Sequence, residues 1–229
     1  MENGIKIILA SASPRRKEIL SWLLPSYDVM PSDIDETHLP AEDPADYTRR
    51  MAYGKMMKRA QLTAEDSVLV IGSDTTVFLE NRIFGKPKSA EDAKEILHTL
   101  NGKEHLVATA VAMFYRKGGE VQIRRTVDKT RVCFRKMTDA EIDGFVESGV
   151  PMGKAGAYAI QDRAYHPVDH ICGCYTGVMG LPFCHVAAML AEFGLIDCRD
   201  RHGICSRGTG VRCEFIPSIE IEDIPFTGF

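Results

Sequence analysis

The chain has 229 residues, of which 45% are hydrophobic, and a formal net charge of −4. This length and composition predict one globular domain or two small lobes around a core, and the slight acidic balance argues against non-specific nucleic-acid binding. No apolar run is long enough to cross a bilayer, and the N-terminus lacks the pattern of a secretory signal. The sequence therefore predicts a cytoplasmic protein whose seven cysteines are reduced.

The first predicted elements are a short apolar strand at residues 5–9 and a helix that begins at Pro14. Ser13 is the expected N-cap, and the turn leaves several backbone N–H groups unpaired. Residues 15–17 are all cationic and fall in the first helical turn, where the helix dipole disfavours cations. Unpaired N–H groups and cations together favour an anion site, typically for phosphate, although a solvated basic turn is the alternative.

The next elements supply candidate carboxylates and cations. A second strand is predicted at 27–30, an acidic loop at 33–36, and a helix at 44–62, in which Lys55 is kept as a candidate ligand. Residues 67–72 form a continuous apolar run, which is typical of a strand covered on both faces.

Asp74 directly follows that buried run, which predicts a carboxylate held at the mouth of a cleft. Such a placement suits a general base or a metal ligand, and the alternative is an aspartate that caps a turn. The acidic loop of Asp33, Asp35 and Glu36 can supply a second carboxylate, because hard divalent cations commonly take one or two carboxylates plus substrate oxygens, although a solvated loop is the alternative. Lys86 lies in a tight turn between glycine and proline and is a candidate point charge for phosphate.

The second half of the chain continues the alternation of helices and strands. A Gly- and Ala-rich segment ends at Gln161, whose amide offers both a donor and an acceptor to a base edge. The other predicted elements are a helix at 89–100, a hairpin of strands at 105–115 and 121–135, a helix at 138–147, a strand at 174–180 and a helix at 182–193. The pattern predicts an α/β fold with a mixed sheet, followed by an irregular extension at 197–229.

Two groups of cysteine and histidine are considered as zinc sites, although neither shows paired C-x-x-C spacing. Buried or incidental cysteine is the favoured interpretation. The groups are His166, His170, Cys172 and Cys174, and Cys198, His202, Cys205 and Cys213.

Several segments, in this order and spacing, resemble the Maf family of nucleoside triphosphate pyrophosphatases. They are residues 9–16, 35–36, 71–75, 85–87, 153–161 and 180–182. The resemblance covers about residues 5–195 and implies a Maf-like domain at 1–196 with a C-terminal extension at 197–229. It also implies a mixed sheet in two lobes around a nucleotide cleft, a fold shared with inosine triphosphate pyrophosphatases.

The reaction that this resemblance implies is hydrolysis of a nucleoside triphosphate to a monophosphate and pyrophosphate, with Mg²⁺ or Mn²⁺. Asp74 resembles the general base, and Glu36 with Asp74 the metal ligands. The residues implied to hold the phosphates are Ser13, Arg15, Arg16, Lys55 and Lys86. A homodimer is a further implication.

Substrate preference is also implied by the resemblance. Arg15, Thr75 and Gln161 resemble the specificity positions of the subgroup that acts on dTTP and UTP, which favours pyrimidine triphosphates, including modified ones. Two alternatives are kept: hydrolysis of 7-methyl-GTP, and a nucleotide-binding regulator of cell division with little turnover.

Overall fold

The computed structural model describes residues 4–197, 199–215 and 217–229. In these ranges the strands are β1 (Lys6–Leu9), β2 (Asp28–Val29), β3 (Ser67–Leu79), β4 (Arg82–Phe84), β5 (Glu104–Lys117), β6 (Glu120–Phe134), β7 (Val168–Cys172) and β8 (Glu222–Ile224). The helices are α1 (Pro14–Ser21), α2 (Pro44–Gln61), α3 (Ala90–Leu100), α4 (Asp139–Glu147), α5 (Tyr175–Met179), α6 (Phe183–Glu192) and α7 (Arg201–Thr209). A 3-10 turn, Ala155–Ala157, precedes β7.

One mixed sheet organises the fold. Its strand order is β2-β1-β3-β5-β6-β7, with β4 paired to β3 and β8 paired to β6. The pairs of β1 with β2 and with β3 are parallel, and the others are antiparallel. The predicted α/β fold with a mixed sheet is confirmed.

We call the part of the molecule around residues 67–71 of β3 the first lobe. Here alternate residues of β3 face opposite layers, because strand side chains alternate between the two faces of a sheet. Val68 and Val70 pack with α2, whereas Leu69 and Ile71 pack with α1, α5 and α6. Helix α2 lies very close to β3 at Gly72, where an added Cβ would stand 2.4 Å from a backbone oxygen of the helix. This close approach fixes the height of α2 over the middle of β3.

The second lobe forms a separate apolar cluster around the other end of the same strands. Its core includes Val77 of β3, Phe84 of β4, Leu97 of α3 and Phe145 of α4. Strands β3, β5 and β6 run through both lobes.

Several predicted elements are confirmed with their local signals. Helix α3 begins after Ser89, whose side chain accepts from the N–H of Asp92 at 3.2 Å. Helix α4 has a full capping box between Thr138 and Glu141. The hairpin β5–β6 turns at residues 118–119, as expected.

The strand predicted at 174–180 is wrong. This segment holds the short helix α5, and the last strand before it is β7. Cys174 is the N-cap, with its sulfur accepting from the N–H of Gly177, and Gly180 ends the helix at a φ of 121°. A short segment of apolar and small residues is ambiguous between the two structures, and here the local cap and the terminal glycine favour the helix.

The segment predicted to be irregular at 197–229 contains α7 and β8, so that description is wrong for the residues described. Cys205 of α7 is buried in the first lobe's core, and β8 adds to the edge of β6. Arg125 of β6 pairs with Glu222 of β8 through a side-chain hydrogen bond. The domain boundary at 196 stays a prediction.

The two zinc hypotheses gain no support. Cys198 lies outside the described residues, and among those described no three His, Cys, Asp or Glu side chains converge as metal ligands. In the described ranges, no helix is both long enough and apolar enough to span a membrane.

Candidate active site

A gap in strand pairing along one edge of β3 creates the site. This edge pairs with β1 as far as Ile71 and with β4 from Val77 onward. Along this edge, no described strand pairs with residues 72–76. Asp74 therefore lies inside the continuous strand β3, and the prediction that it follows the end of a strand is wrong. Its carboxylate is accessible because the neighbour β1 ends at Leu9.

A cleft of about 660 Å³ opens at this gap, between the two lobes. This volume is within the roughly 300–1,000 Å³ of sites for small molecules. All nine candidate residues from the sequence line it: Ser13, Arg15, Arg16, Glu36, Lys55, Asp74, Thr75, Lys86 and Gln161.

On the α2 face of β3, one lysine joins two carboxylates. Lys55 Nζ lies 2.6 Å from Asp74 Oδ1 and 2.6 Å from Glu36 Oε1. The side chains of Lys55 and Asp74 are each 13% exposed, whereas Glu36 is 57% exposed. The geometry follows from the close packing at Gly72, because Lys55 precedes Met56, one of the residues that meets the strand there.

The loop that carries Glu36 is held against α2. Tyr47 donates its hydroxyl to the carbonyl of Glu36 at 3.0 Å, and Arg50 donates to the carbonyl of Thr37 at 2.9 Å. Burial, followed by the charges of Asp74 and Glu36, raises the pKa of Tyr47 to about 12. Partial burial opposes ionisation of Glu36, but the hydrogen bond and charge of Lys55, with help from Lys86 and Arg16, bring its pKa below its usual range. Glu36 is therefore a carboxylate at neutral pH.

On the other face of β3, two arginines are oriented by the end of α5. Arg15 Nε donates to the carbonyl of Met179 and Arg16 Nε to that of Gly180, each at 2.9 Å. Cations are favoured at a helix C-terminus, where carbonyls are left unpaired. Burial lowers the pKa of both guanidinium groups. Within the described residues, no protein acceptor binds the terminal nitrogens of Arg15, which leaves bidentate donors for an anion.

Ser13 stands at the N-cap of α1, but its side chain makes no capping hydrogen bond. Its carbonyl accepts from the N–H of Lys17 at 3.1 Å, and its own N–H donates to Ser11 Oγ at 3.3 Å. The N–H groups of residues 15 and 16 come before the first intrahelical donor. They belong to the unpaired helix N-terminus that the anion hypothesis requires.

A series of hydroxyl groups lies beside Arg16, and the sequence had indicated only Thr75 among them. Arg16 also donates to Ser11 Oγ and to Thr75 Oγ1, each at 3.1 Å. Thr75 Oγ1 lies 3.0 Å from Thr109 Oγ1, which in turn lies 2.8 Å from the carbonyl of Gly177. Thr109 is fully buried. A threonine inside the apolar run of β5 was the available signal, because a buried hydroxyl needs a partner.

The second lobe contributes Lys86 and Gln161 from two loops that are joined by a backbone hydrogen bond. The N–H of Gly156 donates to the carbonyl of Gly85 at 3.1 Å. Gly156 has a φ of 70°, and an added Cβ would stand 2.9 Å from Val77. Close packing against β3 explains why this segment is rich in small residues.

The carboxylates fit a divalent cation in part. Glu36 and Asp74 provide hard oxygen ligands close to one another. Because no third ligand of the His, Cys, Asp or Glu types joins them within the described residues, water or substrate oxygens would have to complete the shell. The two carboxylates therefore suit an Mg²⁺ or Mn²⁺ ion that a phosphate also binds, and they suit less well an ion that is held by protein ligands alone.

Comparison with known proteins adds independent information. Residues 6–193 match the family described as Maf-like protein. A dTTP/UTP pyrophosphatase of Citrifermentans bemidjiense is 43% identical over 86% of this chain and 99% of the relative. Those of Chromobacterium violaceum and Geobacter sulfurreducens are 42% and 41% identical, over 84% and 86% of this chain and 96% and 100% of the relatives.

Proposed function

This chain belongs to the Maf-like protein family, and from that membership and its cleft we propose that it is a nucleoside triphosphate pyrophosphatase acting on dTTP and UTP. The observation that carries the proposal is the convergence of cations from both lobes with two carboxylates in one cleft. A triphosphate needs several donors along its length, and hydrolysis needs a group that accepts a proton from water.

The residues divide this work between the two faces of β3. Arg15 and the helix N-terminus behind Ser13 bind phosphate oxygens, with Arg16 holding the arrangement in place. Lys86 approaches from the second lobe. Asp74 accepts the proton as water attacks at phosphorus, the anhydride bond between the α and β phosphates breaks, and pyrophosphate leaves.

A divalent cation, which we propose as cofactor, would be held by Glu36 and Asp74. When bound, it supplies charge neutralisation at the phosphate oxygens. The position of the Glu36 loop comes from the chain itself, through the hydroxyl of Tyr47 and through Arg50.

Substrate preference rests on the names of the relatives and on the residues at the cleft wall. Arg15, Thr75 and Gln161, which resemble the specificity positions of the dTTP/UTP subgroup, all line the cleft. Modified pyrimidine triphosphates are included in the proposal. Nothing observed favours 7-methyl-GTP or a regulator with little turnover.

The test is pyrophosphate release from a panel of canonical and modified triphosphates, with Mg²⁺ or Mn²⁺, by the wild type and Asp74→Asn. We expect turnover of dTTP and UTP to fall by at least about 100-fold in Asp74→Asn, because an amide cannot accept the proton. Full activity of this variant would rule out Asp74 as the base. Nucleotide binding without any pyrophosphate from the wild type would instead indicate a binding protein.

The homodimer and the cytoplasmic location stay predictions. Light scattering of the eluted protein would test the first, and imaging of the tagged protein in its own cell the second.

A further inference from the structure

A single ammonium group stands between the two carboxylates to which we assign the cation. Lys55 Nζ is 2.6 Å from both Glu36 Oε1 and Asp74 Oδ1, so these oxygens are separated by no more than twice that distance. The Lys55 and Asp74 side chains are largely shielded from water. Charges in such a sheltered position interact more strongly than charges at an open surface. Lys55 therefore offsets part of the negative charge of Glu36 and Asp74.

A divalent cation that bridged these oxygens would occupy almost the same space as the ammonium. Mg²⁺ binds its oxygen ligands at about 2.0–2.1 Å, which places it between them. Two positive charges cannot share that position, because their repulsion in a sheltered cleft is strong. Either Lys55 moves or the cation binds elsewhere.

We propose that Lys55 is a displaceable counter-ion: it offsets part of the charge of Glu36 and Asp74 when no divalent cation is bound, and a divalent cation displaces it from these carboxylates when it binds. The inference rests on the proposed function for the identity of the cation's ligands. The flexible four-carbon stem of lysine permits such a movement. A displaced ammonium carries three N–H donors, which suit the phosphate oxygens of a nucleotide in the same cleft.

The surrounding structure does not depend on Lys55 staying in place. The loop of Glu36 is also held by the hydroxyl of Tyr47 and by Arg50. Helix α2 is also fixed by its packing on Gly72, and Arg59 near its C-terminal end donates to the carbonyls of Met30 and Pro31. These contacts keep both carboxylates where a cation can reach them.

The test measures Mn²⁺ binding by calorimetry, with Mn²⁺ alone and no nucleotide, to the wild type, Lys55→Met and Lys58→Met. Methionine removes the charge and keeps most of the stem. Lys58 is an exposed lysine on the same helix and is the matched control. We expect Lys55→Met to bind Mn²⁺ at least about tenfold more tightly than the wild type, because no ammonium has to be displaced, and Lys58→Met to bind like the wild type. Equal or weaker binding by folded Lys55→Met would overturn the proposal.

Thermal unfolding gives a second readout. Without metal, Lys55→Met is expected to melt below the wild type, since two neighbouring carboxylates lose their counter-ion. Saturating Mn²⁺ should raise its Tm by more than it raises that of the wild type. An equal rise in both proteins would contradict displacement.

If Lys55→Met does not fold, the wild type alone decides the question. Acetylation of individual lysines, followed by mass spectrometry with and without Mg²⁺, should show faster modification of Lys55 when Mg²⁺ is present and no change at Lys58. Unchanged or slower modification of Lys55 would overturn the proposal. Because no arm uses a nucleotide, failure here is distinct from failure of the wild type to release pyrophosphate.

Discussion

The hydroxyl oxygens of Thr75 and Thr109 lie 3.0 Å apart at facing positions of β3 and β5. A threonine hydroxyl has one proton, and the carbonyl of Gly177 beside Thr109 can only accept. If both contacts are hydrogen bonds, Thr109 donates to Gly177 and Thr75 donates to Thr109. Arg16 donates to Thr75, whose hydroxyl oxygen keeps one further acceptor position, and Thr75 lines the cleft.

Replacing Thr109 therefore tests whether the orientation of Thr75 matters. Thr109→Val keeps the shape and removes the hydroxyl, whereas Thr109→Ser keeps the hydroxyl. We expect kcat/KM for dTTP to fall by about fivefold in the valine variant, the equivalent of one hydrogen bond of about 1 kcal/mol, and to be nearly unchanged in the serine variant. Equal losses in both variants would indicate that Thr109 acts only through packing.

The carboxylate of Asp128 gives a prediction for the dependence of stability on pH. It is 4% exposed, accepts a hydrogen bond from Thr130 at 2.9 Å, and has its pKa raised by burial to about 6. A carboxyl whose pKa is higher in the folded state than in the unfolded chain stabilises the fold below the unfolded pKa. That contribution is lost as the pH rises through about 6.

Asp128→Asn removes this titration. Measured by urea unfolding, its free energy of unfolding relative to the wild type should increase from pH 5 to pH 7.5. The full shift corresponds to about 3 kcal/mol, of which roughly half falls between these two pH values. A difference between the two proteins that does not vary with pH would contradict the raised pKa.

Gly72 predicts a coupling between packing and the site. In Gly72→Ala the new methyl group would overlap the backbone oxygen of Ala52 at 2.4 Å, so α2 must move away from β3. We expect a loss of stability of about 1–3 kcal/mol, with lower activity because Lys55 and the loop of Glu36, which is held on α2, shift relative to Asp74. Gly85→Ala, whose Cβ would meet nothing within 4 Å, is the control for stability. Equal stability of the two variants would argue against the close contact.

The C-terminal segment gives a prediction for the effect of truncating the chain. Phe226 and Phe229 pack against the buried ring of Phe114, edge-on and tilted, at centroid distances of 5.8 and 5.7 Å. Ending the chain before residue 218 exposes that ring, and we expect the free energy of unfolding to fall by at least about 2 kcal/mol. A truncated protein as stable as the full chain would support the view of this segment as an extension outside the core.

Local signals explain which elements the sequence predicted. The capping box of Thr138 and Glu141 and the cap of Ser89 involve residues three positions apart, so they can be read without the fold. Most site residues were candidates from their local chemistry, whereas Thr75 came only from the family pattern, and all of them line the cleft.

The missed features depend on contacts between distant parts of the chain. Thr75 and Thr109 are 34 residues apart, and Arg124 pairs with Asp223, 99 residues away. The residues that neighbour one partner in the sequence give no information about which residue the other partner is. The error at α5 has another cause, since so short a segment suits a buried strand and a short helix equally well.

Strands β3, β5 and β6 pass unbroken from one lobe to the other. Swinging the lobes as two rigid bodies about a hinge would break the hydrogen bonds of all three strands, so the frame of the cleft keeps a fixed width. Admission of a nucleotide must then depend on the loops of Glu36 and Gln161 at its rim. Variants that stiffen either loop should slow nucleotide capture and product release while leaving the spacing of the two walls unchanged.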